Sequence, residues 1–112
     1  MNSRKRGKIR MKKKLMGVDL GTGGCKTTVV DIDGNVCVSS FKEYPSEHFK
    51  PGWSEQNPAL WIEALIDTVK DCRAGMNDGF SDILCLAVTA STHNAVLLDS
   101  GGNVIRRCIM WN

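Results

Sequence analysis

Short apolar runs punctuated by polar turns fill the first part of the chain, and a helical repeat follows them. Lys14–Leu20 (KLMGVDL) reads as a buried strand that ends near an acid. Gly21-Thr22-Gly23-Gly24 then supplies residues suited to a tight turn. Lys26–Ile32 (KTTVVDI) is rich in β-branched residues, whose stiff side chains favour strand over helix. Asp33-Gly34-Asn35 marks a second turn and Val36–Tyr44 a third strand, so the pattern predicts an antiparallel meander. Pro45–Gln56 is polar, contains Pro51-Gly52, and predicts a surface loop.

Asn57-Pro58 offers an N-cap and a first helical residue. Trp61, Ile62, Leu65, Ile66, Val69 and Cys72 then recur at helical spacing, with Glu63, Asp67, Lys70 and Arg73 on the opposite face. This predicts a helix with a core-facing stripe that stops near Gly75. Asp82–Ala90 (DILCLAVTA) is almost unbroken apolar sequence, as expected of a central strand covered on both faces. Beyond Ser91-Thr92-His93-Asn94, Ala95–Asp99 and Val104–Trp111 flank a four-residue turn and predict a hairpin. The order β-β-β-α-β plus a hairpin places the chain in the α/β class.

Composition adds the balance of a globular protein: 112 residues, 42% hydrophobic and 24% charged. No apolar run approaches the ~20 residues of a membrane span, and the basic start lacks the apolar core of a secretory signal. A cytoplasmic location without membrane association is the expectation. Cys25, Cys37, Cys72, Cys85 and Cys108 are odd in number and widely spaced, so they read as reduced and structural rather than as zinc ligands or a disulfide framework.

Charge divides the chain. Residues 1–15 hold eight of the fifteen Lys and Arg and no acid, which leaves seven basic and twelve acidic residues in the body. A basic, disordered leader over residues 1–13 is expected, with Met11 as an alternative start. The acidic body disfavours a nucleic-acid partner. A nucleic-acid binder with a basic tail would rest on the leader alone and ranks last.

The segment DLGTGGCKTT admits three phosphate-loop readings. A Walker A loop needs its lysine directly after a glycine, but Lys26 follows Cys25. A dinucleotide fingerprint needs a third glycine where Lys26 stands. Both also require a helix next, whereas TTVVDI is a strand sequence. The remaining reading is a hairpin turn whose backbone amides cradle phosphate, the glycines allowing close approach and positive φ where needed. Asp19 is placed to hold a magnesium ion through water, and Lys26 to reach a terminal phosphate. On these residues alone, an ordinary turn beside a solvated lysine is an equal alternative.

Four blocks in order carry a resemblance. They are GVDLGTGGCKTTVVD at 17–31, PGWSEQNPALWIEAL at 51–65, AVTASTHNAVLLDSGGNVIR at 87–106 and CIMWN at 108–112. Together they resemble the start of the FGGY carbohydrate kinases, most like the xylulokinase branch, over Lys14–Asn112. The resemblance implies an actin-like (ribonuclease H-like) ATPase domain, here the N-terminal part of the first kinase domain, with the second domain absent. It implies ATP and Mg2+ as cofactors and transfer of the γ-phosphoryl group to a sugar hydroxyl, that of a ketopentose such as xylulose.

By position, the resemblance implies that Asp19 serves the metal, and that Gly21, Thr22, Gly23, Gly24 and Lys26 approach the phosphates. Thr92 and His93 stand where xylulokinase-like members place a Met-His pair against the sugar. Thr92 and Asn94 depart from the usual Met-His-Gly, which leaves the sugar open. Trp111 stands where an aromatic flanks the substrate. Each has a plainer alternative, a polar strand end for His93 and a packing residue for Trp111. Trp53 and Trp61 read as structural, and Asp31, Asp33 and Asp99 as turn residues. The family's general-base aspartate falls beyond residue 112, so no catalytic residue is assigned. Other readings are a kinase for gluconate, ribulose or glycerol, and a truncated module without turnover. A homo-oligomer is allowed by the sequence.

Overall fold

The structure, a computed structural model, describes residues 12–112, so the basic run at 1–11 lies outside the described residues. Strands β1 (Lys14–Leu20), β2 (Gly24–Asp31) and β3 (Val36–Glu43) form the expected meander. Helix α1 (Pro58–Ala74) and strand β5 (Ile83–Ala90) follow. The sheet order is β3-β2-β1-β5, with β5 parallel to β1. Two short strands, β4 (Glu55–Gln56) and β6 (Cys108–Ile109), pair separately.

Local signals account for the element ends. Asn57 caps α1 through its side-chain oxygen, which accepts from Ala59 N at 3.0 Å, and Pro58 needs no partner at N1. Asp31 and Asp99 each open a turn of the form Asp-x-x-Gly-Asn. Each carboxylate accepts the backbone N–H of the asparagine four residues on, Asn35 at 3.0 Å and Asn103 at 2.9 Å. Both are the turn residues the sequence predicts. Lys12 pairs with Asp31 at 3.2 Å and Asp33 at 2.8 Å, which ties the approach to β1 onto the end of β2.

Helix α1 covers one face of the sheet. Met16, Val18, Cys25, Val29, Tyr44, Ala64 and Cys72 are buried together there. Of the predicted stripe, Cys72 is buried and Trp61, Leu65 and Val69 pack against the core, while Pro58, Ala64 and Thr68 are buried beside them. Ile62 and Ile66 lie exposed because the small Ala64 and Thr68 let the helix sit close on β2. Thr68 is accommodated by sharing its hydroxyl with Thr27 at 2.8 Å and with the Ala64 carbonyl at 2.9 Å.

Further expectations are corrected. Among the described residues, strand β5 is not covered on both faces; it forms the edge of the described sheet, and all but its first residue are exposed. Nor is 45–56 wholly a surface loop, because Ser54, Glu55 and Gln56 are buried. The predicted 95–111 hairpin forms but is irregular: a Leu98–Val104 bridge closes the 99–103 turn. Ile105 N still donates to Leu97 O at 2.9 Å, and the second arm is irregular only over 106–108, where Arg106 pairs with Glu55 and Arg107 with Glu47. Those pairs carry β6 onto β4, although Ile109 also bridges back to Ala95. All five cysteines are free, and Cys37 and Cys85 are exposed rather than core residues.

Candidate functional site

The antiparallel register sets Asp19 opposite Lys26 and Leu20 opposite Cys25. The chain between them closes tightly, with Gly21 N donating to Gly24 O at 2.9 Å. Gly21, Gly23 and Gly24 do not use the left-handed region, contrary to the conformational role expected for some of them. Close approach explains Gly24 instead: a Cβ there would lie 2.6 Å from both the Lys42 carbonyl oxygen and the Phe41 ring. Gly23 is exposed and a Cβ there would meet nothing within 4 Å. The Thr22 and Gly23 N–H groups donate to no partner among the described residues.

Register neighbours share a face, so Thr89, Asp19 and Lys26 form a polar row across β5, β1 and β2. That face is opposite α1. An open depression of about 430 Å³ runs along it, lined by Gly17, Asp19, Lys26, Thr28 and Thr89. Thr28 and Thr89 carry no local signal, because only strand pairing brings them beside Asp19. Among the described residues no three His, Cys, Asp or Glu converge on a metal position. A magnesium ion beside Asp19 would therefore keep mostly water and phosphate oxygens, which suits its chemistry.

The turn after β5 packs against this hairpin. Ser91 N donates to Leu20 O at 2.9 Å, and Asn94 Nδ2 donates to Ser91 Oγ at 2.7 Å. His93 takes φ +60°, a left-handed conformation in which His is among the more frequent non-glycine residues. Its Nδ1 lies 3.0 Å from the Thr92 hydroxyl. Both side chains are exposed. Trp111 completes the cluster: its N–H donates to Asn94 Oδ1 at 3.0 Å and its indole Nε1–H to Thr22 Oγ1 at 3.2 Å. The residues expected to meet phosphate and those expected to meet sugar are thus joined directly.

Residues 14–112 match the FGGY family of carbohydrate kinases, N-terminal domain. The chain belongs to this family. The xylulose kinase of Bacillus subtilis is 37% identical over 100 residues, which cover 89% of this chain and 20% of that enzyme. The crystal structure of a xyloylose kinase from Brucella ovis superposes with a TM-score of 0.84 at 37% identity, over 88% of this chain and 21% of that one. A gluconate kinase from Lactobacillus acidophilus gives 0.81 at 26% identity, over 89% and 20%. The FGGY chain therefore spans about a fifth of the length of these relatives, and its fold is the actin-like one of the family.

Two residues that support the FGGY hairpin, Tyr44 and Gln56, escaped the sequence reading. The Tyr44 hydroxyl donates to Gly21 O, and Tyr44 N donates to Gly23 O at 3.2 Å. Burial, then the nearby Cys25 and Asp19, pushes the Tyr44 phenol up to about 12, so it stays a protonated donor. Gln56 Nε2 donates to Thr22 O at 2.6 Å, and Trp61 Nε1 donates to Gln56 Oε1 at 2.8 Å. Trp61 is structural, as expected. The order of Gln56 directly before the Asn57-Pro58 helix start was visible, but its target 34 residues away was not.

Proposed function

We propose that this chain is the N-terminal portion of an ATP-dependent sugar kinase that phosphorylates a ketopentose such as xylulose. The observation that carries the reading is the Trp111 indole on the Thr22 hydroxyl, which joins the candidate sugar side to the candidate phosphate turn. Bound MgATP would supply the phosphoryl group. Asp19 would hold the metal through water, and the Thr22 and Gly23 amides, the tight Gly21–Gly24 turn and Lys26 would neutralise phosphate charge. Thr92, His93 and Trp111 would present donors, an acceptor and an apolar face to the sugar.

Xylulose is favoured by the similarity to the Bacillus subtilis enzyme, and the gluconate kinase likeness keeps a hexonate as the second candidate. We place the general base and the remaining nucleotide contacts outside residues 1–112, so the 112-residue chain by itself is not expected to turn over. Five free thiols support a cytoplasmic site of action. Among the described residues, no helix is long and apolar enough to cross a membrane.

The test is sugar-dependent ADP release by the complete kinase. That enzyme is residues 14–112 followed by the rest of a kinase chain, native or taken from the Bacillus subtilis enzyme as a chimera. Activity on a pentulose supports the reading. A folded enzyme inactive on every pentulose, hexonate and polyol tried would refute it.

A further inference from the structure

Gln56 is 1% exposed and is the largest side chain buried outright among the described residues. Its amide orientation is determined by its neighbours. The Trp61 indole can only donate, so Oε1 must face it; the Thr22 carbonyl can only accept, so Nε2 must face that. Nε2 also donates to Ser46 Oγ at 2.8 Å. The backbone of Gln56 pairs with Cys108 in β6, whose chain continues to Trp111. Gln56 thus holds the Thr22 carbonyl with its side chain and the Trp111 segment with its main chain.

The Thr22 carbonyl and the Gly23 N–H belong to one trans peptide plane, in which C=O and N–H point in opposite directions. Drawing the carbonyl inward onto Gln56 therefore turns the Gly23 N–H outward, where it has no partner among the described residues. We propose that Gln56 is a positioning residue that aims the Gly23 amide at the terminal phosphates of a nucleoside triphosphate. This rests on the phosphate reading of the hairpin. Gln56 touches neither phosphate nor sugar and acts through Thr22.

Gln56→Glu in the complete kinase tests it. The variant keeps the acceptor for Trp61 but replaces both donors with a carboxylate facing the Thr22 carbonyl. The expected result is a rise of about tenfold in the KM for MgATP, the scale seen when a supporting partner of a ligand-holding group is lost. The KM for xylulose should move less than twofold. Should Gln56→Glu fail to fold, Trp61→Phe frees the amide to rotate and should raise the MgATP KM in the same direction by a smaller factor. An active parent whose variants show both KM values rising together, or only a lower melting temperature, overturns the Gln56 assignment alone. A parent without sugar-dependent ADP release overturns the kinase reading and this proposal together.

Discussion

The indole Nε1–H of Trp111 donates to the Thr22 hydroxyl at 3.2 Å, across 89 residues of sequence. It ties the end of the β6 segment to the turn between β1 and β2. Trp111→Phe keeps the aromatic face and removes the donor. Because the contact is exposed, the expected loss is about threefold in sugar KM, at the low end for a net hydrogen bond. Trp111→Ala should cost more, since the face itself goes. Steady-state kinetics on the complete kinase distinguishes the two variants, and equal effects would assign Trp111 to packing.

Gly24→Ala should destabilise the kinase by ~1–3 kcal/mol, because the added carbon meets a backbone oxygen and an aromatic ring at 2.6 Å. Gly23→Ala, with nothing within 4 Å, should cost less than ~1 kcal/mol. Thermal melts of the two variants check the order. If Gly23→Ala proved the more damaging to stability, close packing on β3 would not be the reason for Gly24.

Part of this was legible in the sequence, and the division follows contact range. The β1–β2 hairpin, the Asn57-Pro58 helix start and the Asp31 and Asp99 turns are written in neighbouring residues, so pattern alone locates them. Gln56 reads as a loop residue until Trp61 of α1 and Thr22 of the β1–β2 turn close on it. Ile62 and Ile66 carry the same apolar signal as Leu65, yet the small Ala64 and Thr68 decide which side of the helix meets the sheet. Arg106 and Arg107 look like strand residues, and only their partners Glu55 and Glu47 show why the arm is irregular there. Among the proposed site residues, Asp19 and Lys26 stand out locally, whereas Thr89 joins them through parallel pairing alone.

His93 holds φ +60° with a side chain free to reach solvent. Residues kept in sparsely populated backbone regions cluster at functional sites. His93→Gly should leave the melting temperature unchanged or slightly higher while raising the sugar KM. Calorimetry together with kinetics reads both. A lower melting temperature with unchanged KM would make His93 a structural turn residue.

The Asp31 carboxyl is held at about 2, below its ordinary 3.8, chiefly by the Asn35 N–H; the Asn35 side chain and Lys12 also lower it, against burial. The folded value lies below the unfolded one, so the stabilisation is complete above pH 3.8 and is lost as pH falls toward 2. Asp31→Asn preserves an acceptor oxygen without the titration. Melting temperatures taken from pH 5 downward should fall more steeply for the unmodified kinase than for the variant. Parallel curves would show that Asp31 does not contribute this dependence.

The most direct test of the kinase account is ADP release by the complete enzyme with xylulose, run beside Asp19→Asn. The account predicts sugar-dependent ADP release that falls at least ~100-fold in the variant, since phosphoryl transfer depends on metal-held charge neutralisation. Release that does not depend on any sugar, or that survives Asp19→Asn unchanged, would contradict it.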